Sequence, residues 1–206
     1  MRELTQVQPK PLLEAGGKSL IEHTLLRLSQ AGFDEIVINV SWLGELIKKR
    51  LGDGSRYDVS IQYSDEAEPL EWAGGIVNAL PMLGNEPFLA ISADLWTDYP
   101  FEHLKSLQLS ALAHLVLIHR SAFRSDFTLT NQDLVTQDSP AHTYGGIGLF
   151  HPDIFKGMAQ GKCSFGQVML PLVKNKQVSG EIFDGAWFNI GTPEDLADLD
   201  QWLNEK

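Results

Sequence analysis

Cysteine is almost absent from this sequence of 206 residues, which contains Cys163 alone. One cysteine cannot form an internal disulfide, and it cannot build a cysteine-based metal site. Apolar runs long enough to span a membrane are also missing, and the opening Met1-Arg2-Glu3 does not begin a signal peptide. We therefore expect a reducing, cytoplasmic setting.

Basic residues are in the minority, with 16 Lys and Arg against 27 Asp and Glu and a formal net charge of −11. This balance argues against nucleic acid or an anionic membrane as a partner. It does not exclude a small anionic substrate, because a bound cation inverts the local field.

Several familiar site motifs do not occur. No G-x-G-x-x-G follows a predicted strand, no P-loop pattern is present, and the serines and Cys163 lack the context of a nucleophile elbow. The histidines are scattered, and we interpret four that flank predicted strands as structural or solvated: His114, His119, His142 and His151.

Strands and helices alternate along the first part of the chain, which predicts an α/β fold with a mostly parallel sheet and helices on both faces. The predicted strands there are 35–40, 60–63, 88–91 and 113–118, and the predicted helices are 21–32, 43–51, 76–83 and 101–107. The later part predicts a hairpin at 127–135, strands at 143–150, 178–183 and 187–190, and helices at 165–173 and from 193. The length favours one domain.

Asp94 stands where the short apolar strand 88–91 should emerge from the sheet. Ligands of open α/β sheets bind beyond the carboxyl ends of the strands, so a carboxylate there is well placed to hold a divalent cation. Asp94 could equally cap a turn, and the residue alone does not decide between the two interpretations.

Three further features point to nucleotide chemistry when taken together. Lys10 lies between two prolines, which should hold it in extended backbone. The glycines of 71–75 precede a predicted helix and would let a ligand approach its N-terminus. Asn189 ends a distant predicted strand and could join Asp94 as a second oxygen ligand.

These segments resemble the sugar-1-phosphate nucleotidylyltransferases, and in particular their short bacterial branch of N-acetylmuramate-1-phosphate uridylyltransferases and mannose-1-phosphate guanylyltransferase-related proteins. The signature G-x-G-x-R-M-x-P-L-T-x-x-x-P-K-P is matched at Met1, Leu4, Thr5, Pro9, Lys10 and Pro11. Residues 69–75 resemble the family's base-binding loop, 93–98 its metal-binding G-D-x-W-T-D, and 187–194 its W-x-D-x-G-T-P-E.

The resemblance implies a Rossmann-like fold with a nucleotide-binding half at 1–120 and a sugar-phosphate-binding half at 121–206. It implies these roles: Lys10 on phosphate, Lys10 and Asp94 in catalysis, Asp94 and Asn189 on Mg²⁺, Glu71, Gly74 and Gly75 on the base, and Gly145 and Gly146 in the sugar pocket. The sugar-phosphate oxygen would attack the α-phosphorus of UTP or GTP and release pyrophosphate, in nucleotide-sugar biosynthesis or cell-wall precursor recycling. A homo-oligomer would be compatible with it.

The sequence departs from the family pattern at Glu3, Trp72, Ala93 and Asn189, where proline, a small residue or threonine, glycine and aspartate are usual. It also begins at the methionine of the signature, without the family's first strand and glycine-rich loop. We therefore expect impaired catalysis in this form, either because the true start lies upstream or because the protein is a degraded relative.

Two other functions stay open. One is a non-catalytic remnant that binds a nucleotide or a sugar phosphate. The other is a glycosyltransferase with Asp94 and Asp98 as its metal motif, against which the Lys10 signature argues. In any of these proteins we expect Trp72, Trp96 and Trp187 to wall a pocket, and Trp42 and Trp202 to pack on helix faces.

Overall fold

The computed structural model describes residues 6–120 and 123–205. The signature positions Met1, Leu4 and Thr5 and the departure at Glu3 lie outside the described residues. The chain divides into two compact units, the first from Met1–Glu68, Ser92–Ser106 and Gly185–Lys206 and the second from Pro69–Ile91 and Leu107–Asp184. Both units draw on both predicted halves, so the functional division at residue 120 stays a prediction.

The helices and strands alternate much as the sequence predicts. The α-helices are α1 Leu20–Gln30, α2 Gly44–Leu51, α3 Glu71–Leu83, α4 Phe101–Ser106, α5 Phe165–Lys174 and α6 Pro193–Asn204. The strands are β1 Glu14–Ala15, β2 Lys18–Ser19, β3 Glu35–Val40, β4 Ser60–Asp65, β5 Phe88–Ile91, β6 Leu95–Thr97, β7 Ala113–Ile118, β8 Thr128–Leu129, β9 Val135–Thr136, β10 Thr143–Phe150, β11 Val178–Phe183 and β12 Trp187–Asn189. Short 3₁₀ turns lie at Lys10–Leu12, Ser55–Tyr57 and Pro152–Ile154.

Helix α3 begins at Glu71, whereas the sequence predicted a loop up to residue 75. The N–H groups of Ala73 and Gly74 both donate to the carbonyl oxygen of Cys163, at 2.9 and 3.1 Å. The first turn of a helix has no intrahelical acceptors for its N–H groups, so this distant carbonyl supports a helical turn that contains two glycines. The sequence also gave no signal for β6.

The second unit is built on a four-stranded sheet in the order β11-β7-β10-β5. All six residues of β7 are buried, as expected for an inner strand covered on both faces. Strand β11 runs parallel to β7, whereas β10 runs antiparallel to both β7 and β5. The pairing is therefore mixed rather than mostly parallel, because β10 returns through the β8–β9 hairpin without a helical crossover.

The first unit contains one parallel strand pair and two antiparallel pairs, of which β1–β2 is the shorter. Strands β3 and β4 run parallel, and α2 forms the crossover between them. Their core includes Ile21, Leu25, Ile38 and Ile61. Strands β6 and β12 pair antiparallel beside a second core with Trp96 at its centre. Across the described residues, every helix is too short or too polar to cross a lipid bilayer.

Candidate functional site

Lys10 starts a 3₁₀ turn in the first unit, not the extended segment predicted from its flanking prolines. Pro9 is extended and caps the turn, and Pro11 fits because the first turn of a helix does not need its N–H. The turn is closed by hydrogen bonds from Leu12 N to Pro9 O, at 2.9 Å, and from Leu13 N to Lys10 O, at 3.0 Å. Leu12 is buried with the residues of α1, so the backbone of Lys10 is fixed by the core.

The side chain of Lys10 forms an ion pair with Asp94, with 2.9 Å between Nζ and Oδ2. Both side chains are about one-third exposed, at 32% and 34%. Water screens a pair with this exposure, and such pairs contribute about 1 kcal/mol or less to stability. The ammonium can therefore exchange Asp94 for another anion at little cost to the fold.

Asp94 and Asn189 come from distant parts of the sequence and meet at one end of the β6–β12 pair. Asn189 lies opposite Leu95 in the register, and Ile190 N donates to Asp94 O at 2.9 Å. Among the described residues, no group of three or more His, Cys, Asp or Glu side chains could hold a metal ion. At this end of the pair the backbones of Asp94 and Asn189 therefore lie next to each other, and their side chains carry one carboxylate and one amide.

The other end of the β6–β12 pair is held by Thr97 and Asp98. Asp98 Oδ1 accepts a hydrogen bond from Ala186 N at 2.7 Å, across 88 positions of sequence. Asp98 N and Thr97 Oγ1 both donate to Ala186 O, at 3.1 and 2.9 Å. Because the Asp98 carboxylate already accepts a hydrogen bond from the backbone N–H of Ala186, the structure does not support the Asp94–Asp98 metal motif of a glycosyltransferase.

The second unit contains the predicted base contacts at the start of α3. Glu71 is exposed and has a left-handed backbone, with φ of 64°, whereas Gly74 and Gly75 are buried in the first turns of the helix. A Cβ on Gly74 would lie 2.2 Å from the carbonyl oxygen of Gly161. Gly74 is therefore required by packing, and its N–H is already bonded to Cys163 O.

Gly145 and Gly146 lie in β10, also in the second unit. The register between β10 and β7 shifts between Tyr144 and Gly148, so the strand leaves its neighbour at these glycines. Gly146 has φ of 75°, a conformation that glycine adopts without steric cost. The pair thus marks a bulge in the strand, a feature that often lies next to functional sites.

Trp72, Trp96 and Trp42 are placed differently from the prediction, whereas Trp202 packs from α6 against Trp96, as predicted. Trp72 packs into the core of the second unit, with its ring centroid 4.9 Å from those of both Phe150 and Phe165. Trp96 is buried in the core of the first unit, 4.8 Å from the ring of Trp202. Trp42 is 71% exposed rather than packed on a helix face. The first two tryptophans therefore build cores and do not wall a pocket.

A buried carboxylate, Glu22, supports the first unit around α1. Glu22 completes a capping box with Ser19, as the sequence predicted. It also accepts hydrogen bonds from Arg50 Nε and Nη2, at 3.1 and 2.9 Å, and from Tyr57 Oη, at 2.7 Å. Burial alone would raise the pKa of Glu22, but the hydrogen bonds from Arg50, Tyr57 and Ser19 hold that pKa well below its usual range.

The sequence is similar to the Nucleotidyl transferase family, whose model matches residues 1–121. It is 41% identical over 203 residues to the N-acetylmuramate alpha-1-phosphate uridylyltransferase of Neisseria meningitidis serogroup B, covering 93% of this chain and 88% of that protein. It is 27% identical over 219 residues to the mannose-1-phosphate guanyltransferase of Hypocrea jecorina, covering 95% of this chain but only 58% of that protein.

Two solved structures share the fold at low sequence identity. HddC from Yersinia pseudotuberculosis, complexed with GMP-PN, has a TM-score of 0.81 at 17% identity and covers 95% of this chain and 90% of that one. The inositol-1-phosphate CTP transferase from T. maritima has a TM-score of 0.78 at 19% identity and covers 100% and 90%. These likenesses confirm the predicted α/β fold of the Rossmann-like type.

Proposed function

Because the chain belongs to the nucleotidyl transferase family, we propose that it is a sugar-1-phosphate nucleotidylyltransferase, which joins a nucleoside triphosphate to a sugar 1-phosphate. The names of its relatives support two substrate pairs, UTP with N-acetylmuramate α-1-phosphate and GTP with mannose 1-phosphate. We favour the first pair, since the uridylyltransferase is similar at 41% identity over most of both chains. The observation that carries the proposal is the Lys10–Asp94 ion pair beside Asn189.

In the proposed reaction an oxygen of the sugar phosphate attacks the α-phosphorus of the nucleoside triphosphate. The new P–O bond forms as the bond to the β-phosphate oxygen breaks, and pyrophosphate leaves with the electron pair. Lys10 contributes a positive charge on a fixed backbone, which stabilises the negative charge that builds on the phosphate oxygens. Its pairing with partly exposed Asp94 keeps the ammonium in place until a phosphate replaces the carboxylate.

We also propose that Asp94 and Asn189 hold a divalent cation such as Mg²⁺. Their donor atoms fit this ion, because Mg²⁺ prefers oxygen ligands and is usually bound by one or two carboxylates together with water and substrate phosphates. An ion held by Asp94 and Asn189 would supply positive charge that offsets the negative charge of the substrate phosphates. Lys10 offsets the negative charge of Asp94, with which it forms an ion pair.

Substrate contacts in the second unit form the remaining part of the proposal. Glu71 is exposed at the first residue of α3, where its carboxylate is free to accept hydrogen bonds from the edge of a base. Because Gly74 and Gly75 have no side chains, the first turns of this helix would have a small cross-section. Gly145 and Gly146 would let a sugar approach the backbone at the β10 bulge, because neither residue has a side chain.

Pyrophosphate release tests the proposal directly. We expect turnover with Mg²⁺ and one of the two substrate pairs, at the reduced rate that the sequence predicts, and a further loss of at least about 10²-fold in kcat for Lys10→Met, the size typical of removing one donor to developing charge. The matched control is Lys18→Met, which removes an exposed lysine of the same unit and should leave kcat unchanged. Nucleotide binding without turnover by any pair would contradict the proposal and favour a non-catalytic binding protein.

A further inference from the structure

The β6–β12 pair is short for an element that places two proposed site residues. It consists of three residue pairs in the first unit: Trp187 with Thr97, Phe188 with Trp96, and Asn189 with Leu95. These two strands form a separate two-stranded sheet, with no third strand among the described residues. A ladder of this length specifies its register weakly by itself.

A slip of one residue would have a definite consequence for Asn189. The rings of Phe188 and Trp96 meet on one face of the pair, with 6.0 Å between their centroids, and Asn189 alternates to the other face. Successive side chains of a strand point to opposite faces, so a slip of one residue would move each side chain of β12 to the opposite face of the pair. Asn189 would then face the apolar cluster around Trp96, and Ile190 N would lose its bond to Asp94 O.

We propose that Asp98 and Thr97 are positioning residues, which fix the register of β6 against β12 and thereby place Asn189 beside Asp94. Three hydrogen bonds converge on the single residue Ala186: one from its N–H to Asp98 Oδ1, and two to its carbonyl oxygen, from Asp98 N and Thr97 Oγ1. The N–H and the carbonyl oxygen of Ala186 are thus both bonded to Thr97 and Asp98.

The hydrogen bonds to Ala186 also keep Thr97 and Asp98 in position. Thr97 is buried, with 3% of its surface exposed, and its Oγ1 accepts a hydrogen bond from Tyr99 N at 3.1 Å. Its hydroxyl therefore both donates a hydrogen bond, to Ala186 O, and accepts one, from Tyr99 N. Asp98 acts through Ala186 and the strand that follows it, and its role does not require contact with substrate or metal.

Two variants of Asp98 separate positioning from a direct chemical role. Asp98→Asn keeps a side-chain oxygen that can accept from Ala186 N, whereas Asp98→Ala removes the acceptor. Thr97→Ser and Thr97→Val form a second matched pair, in which only serine retains the hydroxyl. The effect on kcat rests on the proposed function, so register is also measured without any substrate, by hydrogen exchange of the backbone amides in ¹⁵N-labelled protein.

We expect the amides of Ala186 and Ile190 to exchange about tenfold faster in Asp98→Ala, as for the loss of one hydrogen bond to a charged group. We expect kcat to fall by on the order of 10²-fold in the same variant, because misplacing a site residue by about 1 Å has that effect. Asp98→Asn and Thr97→Ser should stay within about threefold of wild type in kcat, since each retains the required polar atom.

The inference is overturned by either of two results. Unchanged exchange at Ala186 and Ile190 in Asp98→Ala would show that Asp98 does not hold the register. An Asp98→Asn variant as inactive as Asp98→Ala would show that the carboxylate charge itself acts in the reaction. If wild type shows no turnover with any substrate pair, the proposed function fails, and the exchange measurement still decides whether Asp98 fixes the register.

Discussion

Glu22→Gln is the substitution with the clearest expected effect on stability. The Glu22 carboxylate is 8% exposed and accepts five hydrogen bonds, from Ser19 N and Oγ, Tyr57 Oη, and Arg50 Nε and Nη2. Glutamine offers one acceptor oxygen and turns an NH₂ group toward donors. It also leaves the guanidinium of Arg50 without its buried counter-charge.

The expected loss in the free energy of unfolding is about 3 kcal/mol. Removing one partner of a buried ion pair costs about 3–5 kcal/mol. The lower end applies here because the Arg50 side chain is 44% exposed, so water takes up part of its charge. For a protein of this length about 1 kcal/mol corresponds to about 2–4 °C, which predicts a fall in Tm of about 6–12 °C.

Glu14→Gln is the matched control. Glu14 also pairs with Arg50, at 3.1 Å, but its side chain is 55% exposed. Such a pair contributes about 1 kcal/mol or less. Thermal and urea unfolding of the two variants should therefore separate them clearly. Equal losses in both, or a loss below about 0.5 kcal/mol in Glu22→Gln, would refute the argument that the buried carboxylate holds α1 against α2.

The pH dependence gives a second test of the same cluster. The pKa of Glu22 lies well below its ordinary value of 4.5. The stabilising contribution of Glu22 to the free energy of unfolding is therefore complete above pH 4.5 and is lost as the pH falls through the folded-state pKa. The difference between wild type and Glu22→Gln should therefore shrink below pH 4.5. Burial, and then the hydrogen bond to Glu22, raise the pKa of Tyr57 from 10.0 to about 12. The stabilising contribution of Tyr57 to the free energy of unfolding is therefore complete below pH 10.0 and should disappear as the pH rises from 10.0 to about 12.

Three further predictions concern the residues singled out by the sequence. Gly74→Ala should destabilise by about 1–3 kcal/mol in urea unfolding, because a Cβ would lie 2.2 Å from a carbonyl oxygen, whereas Gly166→Ala in α5, where a Cβ would lie 3.8 Å from Leu170 Cδ1 in ordinary van der Waals contact, should stabilise by up to about 1 kcal/mol. Trp72→Thr should destabilise by about 3 kcal/mol and leave nucleotide affinity unchanged by calorimetry, since the indole packs on phenylalanines of the core; a tighter-binding variant would show that Trp72 fills the base pocket after all. Asn189→Asp should lower the Mg²⁺ concentration needed for half-maximal turnover, because it adds a negative oxygen ligand, and an unchanged requirement would argue against Asn189 as a ligand.

Sequence alone identified the elements whose signals are local. The capping box of Ser19 and Glu22 and the Thr192-Pro193 start of α6 were both predicted and are both present. The mostly apolar run 113–118 predicted a strand, and β7 lies there with all six of its residues buried. These signals depend on neighbours within a few positions, so a short stretch of sequence contains them completely. The family motifs likewise identified the family correctly.

Only the tertiary structure decided which distant groups complete each local feature. The first turn of α3 bonds to the carbonyl of Cys163, and the backbone N–H of Ala186, just before β12, bonds to the carboxylate of Asp98. Glu22 gains Arg50 and Tyr57 as partners, which the capping box does not reveal. The physical reason is the same in each case: buried polar groups must find partners, but the sequence around them does not say which part of the chain will supply those partners.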